Sequence, residues 1–270
     1  MKNNQTTIAR PSINSGSLSM PAQQEIGVTS DHRVSKHFDT SAIFVVPKGV
    51  SELRIFAVGA SGGSGNGFGV LLNNGGEGGT AVSNVSVSPG ESLDVFVGIR
   101  GMDGGLPEGG SGGCSASGFE GGAAASGTAG GGGGGGGASG VVRIRGNEVL
   151  VVAGGGGGGS GVGNGGLIGR GGAGGSFGTN GRGLSPGRVK QGLGTRGGDG
   201  PANSTVGSGG GGGGIYGGGA GSELNSAIGG GGAGGTGTLE AGSLSADGGG
   251  SNCGSVSISY DAPLLDKNSK

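Results

Sequence analysis

Polyglycine constrains this chain more than any other feature. The longest runs are Gly130 to Gly137, Gly154 to Gly159 and Gly209 to Gly214, with shorter ones at Gly217 to Gly219, Gly229 to Gly232 and Gly248 to Gly250. All but Gly16, Gly27 and Gly49 of the 83 glycines lie between Gly59 and Gly254. A glycine brings no acid, base or nucleophile. These segments act only through shape and through backbone N–H and C=O groups, which need partners wherever they are buried.

The runs are either flexible linker or ordered structure. Ordering a glycine costs roughly 0.5–1 kcal/mol more than ordering an alanine, on the order of 40 kcal/mol or more over this region. Isolated strings cannot offset that, so order requires neighbours. Three features favour it. Strand-like segments are spread along the chain, lone apolar residues (Val162, Leu167, Ile168, Phe177, Leu193, Ile215, Leu224, Ile228) punctuate the glycines, and a final strand follows Gly250. The backbone form that suits such runs is the extended left-handed helix, with three residues per turn, about 3.1 Å rise and sideways amides. Without side chains, such helices can bond to one another laterally. Six residues span about 19 Å, the length of an ordinary strand.

The strands read from alternation and turn signals. Ile43–Val46 is one, and Glu52–Val58 the next, with Leu53, Ile55 and Ala57 on one face and Glu52, Arg54 and Phe56 on the other. Thr80–Val87, the turn Ser88-Pro89-Gly90-Glu91, and Ser92–Gly98 read as an antiparallel hairpin. Val141–Arg145, a Gly146-Asn147 turn and Val149–Ala153 read as another. The continuously apolar second arm of this pair predicts a strand covered on both faces. Ser255–Tyr260 is the last strand. Helical periodicity is lacking throughout. The expected fold is mainly β: an antiparallel β-sandwich-like frame with an inserted bundle of polyglycine II helices and essentially no α-helix.

Residues 1–40 read as an extended or disordered N-terminal arm, 41–261 as the glycine-rich domain and 262–270 as a polar tail. Only 30% of the 270 residues are hydrophobic and 3% aromatic, with no Trp, so an ordinary core of this size is not available. Eight prolines without a strict G-X-Y register rule out collagen. A net charge of −1 gives no general attraction to nucleic acid. No apolar stretch approaches the ~20 residues of a membrane span, and the N-terminus lacks the apolar segment of a signal peptide. The expected location is extracellular, cell-surface or virion-associated by a signal-free route, with a cytoplasmic location as the alternative. Cys114 and Cys253 are the only cysteines, and either a disulfide or two thiols is compatible with the sequence.

Phe44-Val45-Val46-Pro47-Lys48-Gly49-Val50-Ser51-Glu52-Leu53, leading to Val58-Gly59-Ala60-Ser61-Gly62-Gly63, resembles the opening of glycine-rich domains in bacterial and phage tail-fibre proteins. Val85 to Gly98, around Pro89-Gly90-Glu91, is similar to their strand–PGE–strand hairpin, and Gly254 to Tyr260 to their final strand. Leu150-Val151-Val152-Ala153 with Gly154 to Gly159, and Gly209 to Gly219, look like the glycine-rich domain of the anaplastic lymphoma kinase and leukocyte tyrosine kinase receptors. The resemblance covers about residues 41–261. It implies a β frame with glycine helices between strands, and a binding or adhesion role. The receptors' membrane helix and kinase domain have no counterpart here.

Gly161-Val162-Gly163-Asn164-Gly165-Gly166 matches the dinucleotide fingerprint, but no helix follows to hold a pyrophosphate. No Gly-Lys pair makes a P-loop. Two histidines and two aspartates between Asp31 and Asp39 are interrupted by Arg33 and Lys36, which oppose a cation. With both histidines in the arm, no Ser/His/Asp set is credible. The expectation is a non-enzymatic protein without cofactor or metal.

One charge feature remains. No acidic residue lies between Glu148 and Asp199, whereas Arg170, Arg182, Arg188, Lys190 and Arg196 all do. Arg-Gly-Gly elements at Arg170 and Arg196 resemble RNA-binding repeats, but few aromatics accompany them. Solvated loop charge is the bland alternative. The functional one is contact with acidic groups on a surface glycan or protein receptor, with Asn203 and Tyr216 as further contacts. Two other functions compete: a self-associating structural or matrix protein, and an ice-binding protein. Homo-oligomerisation, or attachment to a larger particle through the N-terminal arm, fits the same reading.

Overall fold

Alternating residues in Glu52–Val58 put Leu53, Ile55 and Ala57 fully inside and leave Glu52, Arg54 and Phe56 in solvent. That single strand sets the plane of a two-sheet frame. The computed structural model describes residues 33–67, 70–115, 118–161, 169–174, 178–182, 186–188, 195–201, 206–221, 223–224, 228–229, 244–250 and 253–262. In chain order the first strands are β1 (Arg33–Phe38), β2 (Ala42–Val45), β3 (Glu52–Val58), β4 (Gly65–Gly67), β5 (Val70–Asn73), β6 (Gly78–Ser86) and β7 (Ser92–Phe96). They are followed by β8 (Ser139–Arg143), β9 (Glu148–Ala153), β10 (Glu223–Leu224), β11 (Ile228–Gly229), β12 (Leu244–Gly250) and β13 (Ser255–Asp261). The described residues contain no α-helix.

Two antiparallel sheets face each other, one ordered β1-β13-β3-β6-β12 and the other β2-β7-β8-β9. Leu53, Ile55, Ala57, Val256, Ile258 and Tyr260 from the first meet Phe44, Leu93, Val95, Val141 and Val151 from the second. The fold is therefore mainly β, as expected. The β8–β9 hairpin forms with Gly146 and Asn147 both at positive φ in its turn, the backbone that a tight hairpin requires. In β9, Val151 and Ala153 enter the main core while Val152 enters a second one with Phe96, Phe119, Ala138 and Val142. The strand is covered on both faces.

Two expectations need correction. The segment around Pro89-Gly90 is no hairpin: β6 and β7 belong to different sheets, and the turn crosses the end of the sandwich. Its amides bond to the neighbouring corner, Gly90 N–H to the Val46 carbonyl and Val87 N–H to that of Ser51. The predicted arm, 1–40, also contains a strand of the first sheet. Arg33–Phe38 pair in register with β13, from Arg33 opposite Asp261 to Phe38 opposite Val256. Val34 and Phe38 cover the core there, and Phe38 meets Phe44 edge to face at 6.3 Å. Residues 1–32 and 263–270, with the rest of the predicted arm and tail, lie outside the described residues.

The glycine segments pack beyond the end of the frame, and their hydrogen bonds repeat every third residue. All amides from Gly130 to Ala138 donate to backbone carbonyls. Gly131, Gly134 and Gly137 donate to Gly105, Met102 and Ile99; Gly132, Gly135 and Ala138 to Ala125, Gly122 and Phe119; Gly133 and Gly136 to Gly159 and Gly156. The carbonyls of the same run accept from three further segments: Ala60, Gly63 and Asn66; Gly110 and Gly113; and Gly207, Gly210 and Gly213. A strand would alternate between two neighbours. This run has six.

Steric room explains the composition. A Cβ on Gly133, Gly134 or Gly135 would meet a backbone carbonyl oxygen at 2.1, 2.0 or 1.8 Å, in three different directions. At the rim the demand relaxes to one direction. Gly98, Gly101 and Gly104 face the carbonyls of Gly137, Gly134 and Gly131 at 2.1–2.2 Å, whereas Ile99 and Met102 between them are exposed.

Candidate functional site

Three of these backbone segments lie side by side and form a cleft. Gly171 and Gly174 donate N–H bonds to the carbonyls of Asn74 and Glu77, and Thr179 and Arg182 donate to those of Ala173 and Arg170, the latter at 2.8 Å. The three-residue spacing places Arg170 and Arg182 opposite each other. The Thr179 hydroxyl oxygen accepts the Ala173 N–H at 2.6 Å and holds the turn closed. The cleft has a volume of about 410 Å³. Its polar lining is Asn74, Glu77, Thr179 and Asn180 together with the two arginines. Gly75, Gly76, Gly171 and Gly172 line it with backbone.

Among the described residues neither Arg170 nor Arg182 forms an ion pair, and Glu77, which shares the cleft, also forms none. Two guanidiniums and one carboxylate leave the site with a single net positive charge. Arginine keeps its charge at any working pH and presents planar paired donors. The arrangement can bind an anion and hydrogen-bond a polyol. It offers no nucleophile with an adjacent base.

The remaining predicted contacts fall elsewhere. Arg196 is occupied by Asp199 at 3.0 Å and, more distantly, by Glu120 at 3.9 Å. Arg188 is exposed and its carbonyl accepts from Gly219 N–H. Tyr216 is exposed and follows Ile215, which packs against the second core. Lys190 and Asn203 lie outside the described residues, as does all of the 161–166 fingerprint except Gly161. Cys114 and Cys253 are exposed free thiols. Asn74 and Glu77 were missed because nothing in the sequence ties them to Arg170, nearly a hundred residues away. The parallel register of the glycine segments does that.

A larger cleft of about 520 Å³ separates the Ser88–Ser92 turn from Arg143, Ile144 and Arg145. There Arg143 is already engaged by Glu91 and Glu148, which leaves Arg145 as the one guanidinium in that lining without an ion pair among the described residues, against two in the smaller cleft. The sheet also assembles a set excluded from sequence. His37 lies opposite Ser257 in the β1–β13 register, with Nδ1 2.8 Å from the Ser257 Oγ and Nε2 2.8 Å from Asp39. It stands on an open sheet face. Because β13 lies between two strands, its amides are used in the ladders and supply no donor pair for an oxyanion. The His37–Ser257 contact links β1 to β13. Among the described residues no group of His, Cys, Asp and Glu has the arrangement of a metal site, and no helix is long and apolar enough to cross a membrane.

Neither a protein-family model nor a curated protein sequence matches this chain.

Proposed function

We propose that the chain is a non-enzymatic binding module. In this reading its glycine segments are polyglycine II helices bundled against a β frame, and the loops they carry contact a glycan or protein receptor on a surface. The observation that carries it is that Arg170 and Arg182, neighbours in backbone register, line one cleft and form no ion pair among the described residues. Two exposed guanidinium-bearing side chains on one lining are an electrostatic complement to an anionic partner. The three-residue hydrogen-bond period supports the helix assignment, since three residues per turn is the repeat of that helix. The resemblance of residues 41–261 to tail-fibre and receptor glycine-rich domains points the same way and suggests presentation outside a cell or on a particle.

Self-association as a matrix protein is the competing reading. The edge strand β1 carries Arg33 and Lys36, charges that discourage edge-to-edge pairing. The discriminating experiment is binding of the intact chain to a glycan array and to whole cells, beside the Arg170→Gln/Arg182→Gln variant. Binding that survives this double change removes the cleft from the function. Concentration-dependent assembly without any binding favours the matrix reading.

A further inference from the structure

We infer that the unit held in the Arg170–Arg182 cleft is a sugar residue bearing a carboxylate, the anionic monomer of an acidic surface glycan. This rests on the binding reading above and names its ligand class.

The charge count selects a monoanion. Arg170, Arg182 and Glu77 line the same cleft, so one negative charge brings the site to neutrality and a dianionic phosphate would overshoot it. Shape suits a planar group. A guanidinium fork matches the two oxygens of a carboxylate in parallel N–H···O bonds, and two guanidinium-bearing side chains line this cleft. The other lining groups suit the rest of a sugar. Glu77 accepts from vicinal hydroxyls, and Asn74 brings an amide side chain that both donates and accepts. A volume of about 410 Å³ lies at the small end of ligand sites, roughly 300–1,000 Å³.

The glycine lining adds selectivity. Gly76 and Gly172 are buried, and a Cβ on either would meet a backbone carbonyl at 2.0 Å, so the lattice keeps this part of the lining bare backbone. The lining offers no aromatic platform for a neutral sugar to stack on. Without stacking, recognition must come from charge and hydrogen bonds, which again favours the acidic sugar over its neutral counterpart.

The test is titration calorimetry of the full chain with two matched pairs, sialyllactose against lactose and trigalacturonate against its methyl ester, plus lactose sulfate. Under the inference at least one carboxylated member binds at least tenfold more tightly than its neutral partner and than the sulfate. Arg170→Gln and Arg182→Gln each weaken it tenfold or more with circular dichroism unchanged, Glu77→Gln leaves or improves it, and Arg196→Gln stays within twofold. Which pair responds distinguishes a sialic acid from a uronic acid. Equal, arginine-dependent binding of neutral or sulfated sugars would overturn the carboxylate assignment and leave the binding reading intact. Binding indifferent to both arginines would overturn the cleft. If these probes and a glycan array all fail to bind, both readings fall.

Discussion

A Cβ added to Gly135 would stand 1.8 Å from the carbonyl oxygen of Gly211. That distance is far inside any real contact, and both groups are fixed in the backbone lattice. Relief requires moving one segment away from another. Gly135→Ala gains about 0.4–1 kcal/mol by restricting the unfolded chain, but the clash outweighs it, since overpacking a rigid interior costs typically 1–3 kcal/mol or more. Urea denaturation should show a net loss of about 1–2 kcal/mol. Met102→Ala, at an exposed rim position, should stay within about 0.5 kcal/mol. Equal stability of the two variants would mean that the central run is not packed.

Phe96 and Phe119 stack with centroids 4.8 Å apart and planes 6° from parallel. They join the outer face of the second sheet to the start of the segment that receives the amides of Gly132, Gly135 and Ala138. Removing either ring is expected to cost about 3–5 kcal/mol. A double-mutant cycle should give a coupling of roughly 0.5–1.5 kcal/mol. Additive losses would show that the two rings do not pack together.

At the rim Asp103 accepts the Ser64 N–H at 2.7 Å and an Arg100 N–H at 2.6 Å. Burial alone would raise its carboxyl, but the hydrogen bonds from Arg100 and Ser64 and the charge of Arg100 more than offset this and hold it below the ordinary carboxylate range. Glu91 is shifted the same way: burial opposes ionisation, while the Ser88 N–H and Arg143 outweigh it. A depressed folded value means the contribution is complete above the unfolded value and is lost as pH falls through the folded one. Stability should therefore be flat near neutrality and fall below about pH 4. Asp103→Asn should cost about 1 kcal/mol at pH 7, reduced by solvent exposure, and make the acid limb shallower. An unchanged acid limb would remove Asp103 from the account.

Much of the frame was legible because alternation reports burial directly. Leu53, Ile55 and Ala57 of β3, the two-faced β9 and the Gly146-Asn147 turn all follow from local pattern. Partner choice did not follow. Ala81, Val87, Leu93 and Val95 are buried on the inner face whether Pro89-Gly90 closes a hairpin or carries the chain across to the opposite sheet. The alternation is identical, and only the bonds to Val46 and Ser51 decide. Arg33–Phe38 were hidden for a different reason: an edge strand with one covered face and charges on the other looks like a polar tail. The cleft was half legible. The acid-free stretch marked Arg170 and Arg182, but their partners Asn74 and Glu77 arrive through a register among glycines, and glycines carry no pattern. The rim does carry one. Gly98, Gly101 and Gly104 recur every third residue because one face of their segment enters the lattice, whereas the centre needs glycine at every position.

The central claim is that the glycine runs form a hydrogen-bonded lattice, and backbone amide hydrogen exchange tests it residue by residue. The amides from Gly130 to Ala138 should all be protected, with the strongest protection at Gly133 to Gly136, matching the core strands β3 and β9. In a strand at a sheet edge, protection would alternate; here it should be continuous. Exchange of Gly133 to Gly136 at the rate of an unstructured peptide, with β3 and β9 still protected, would contradict the account.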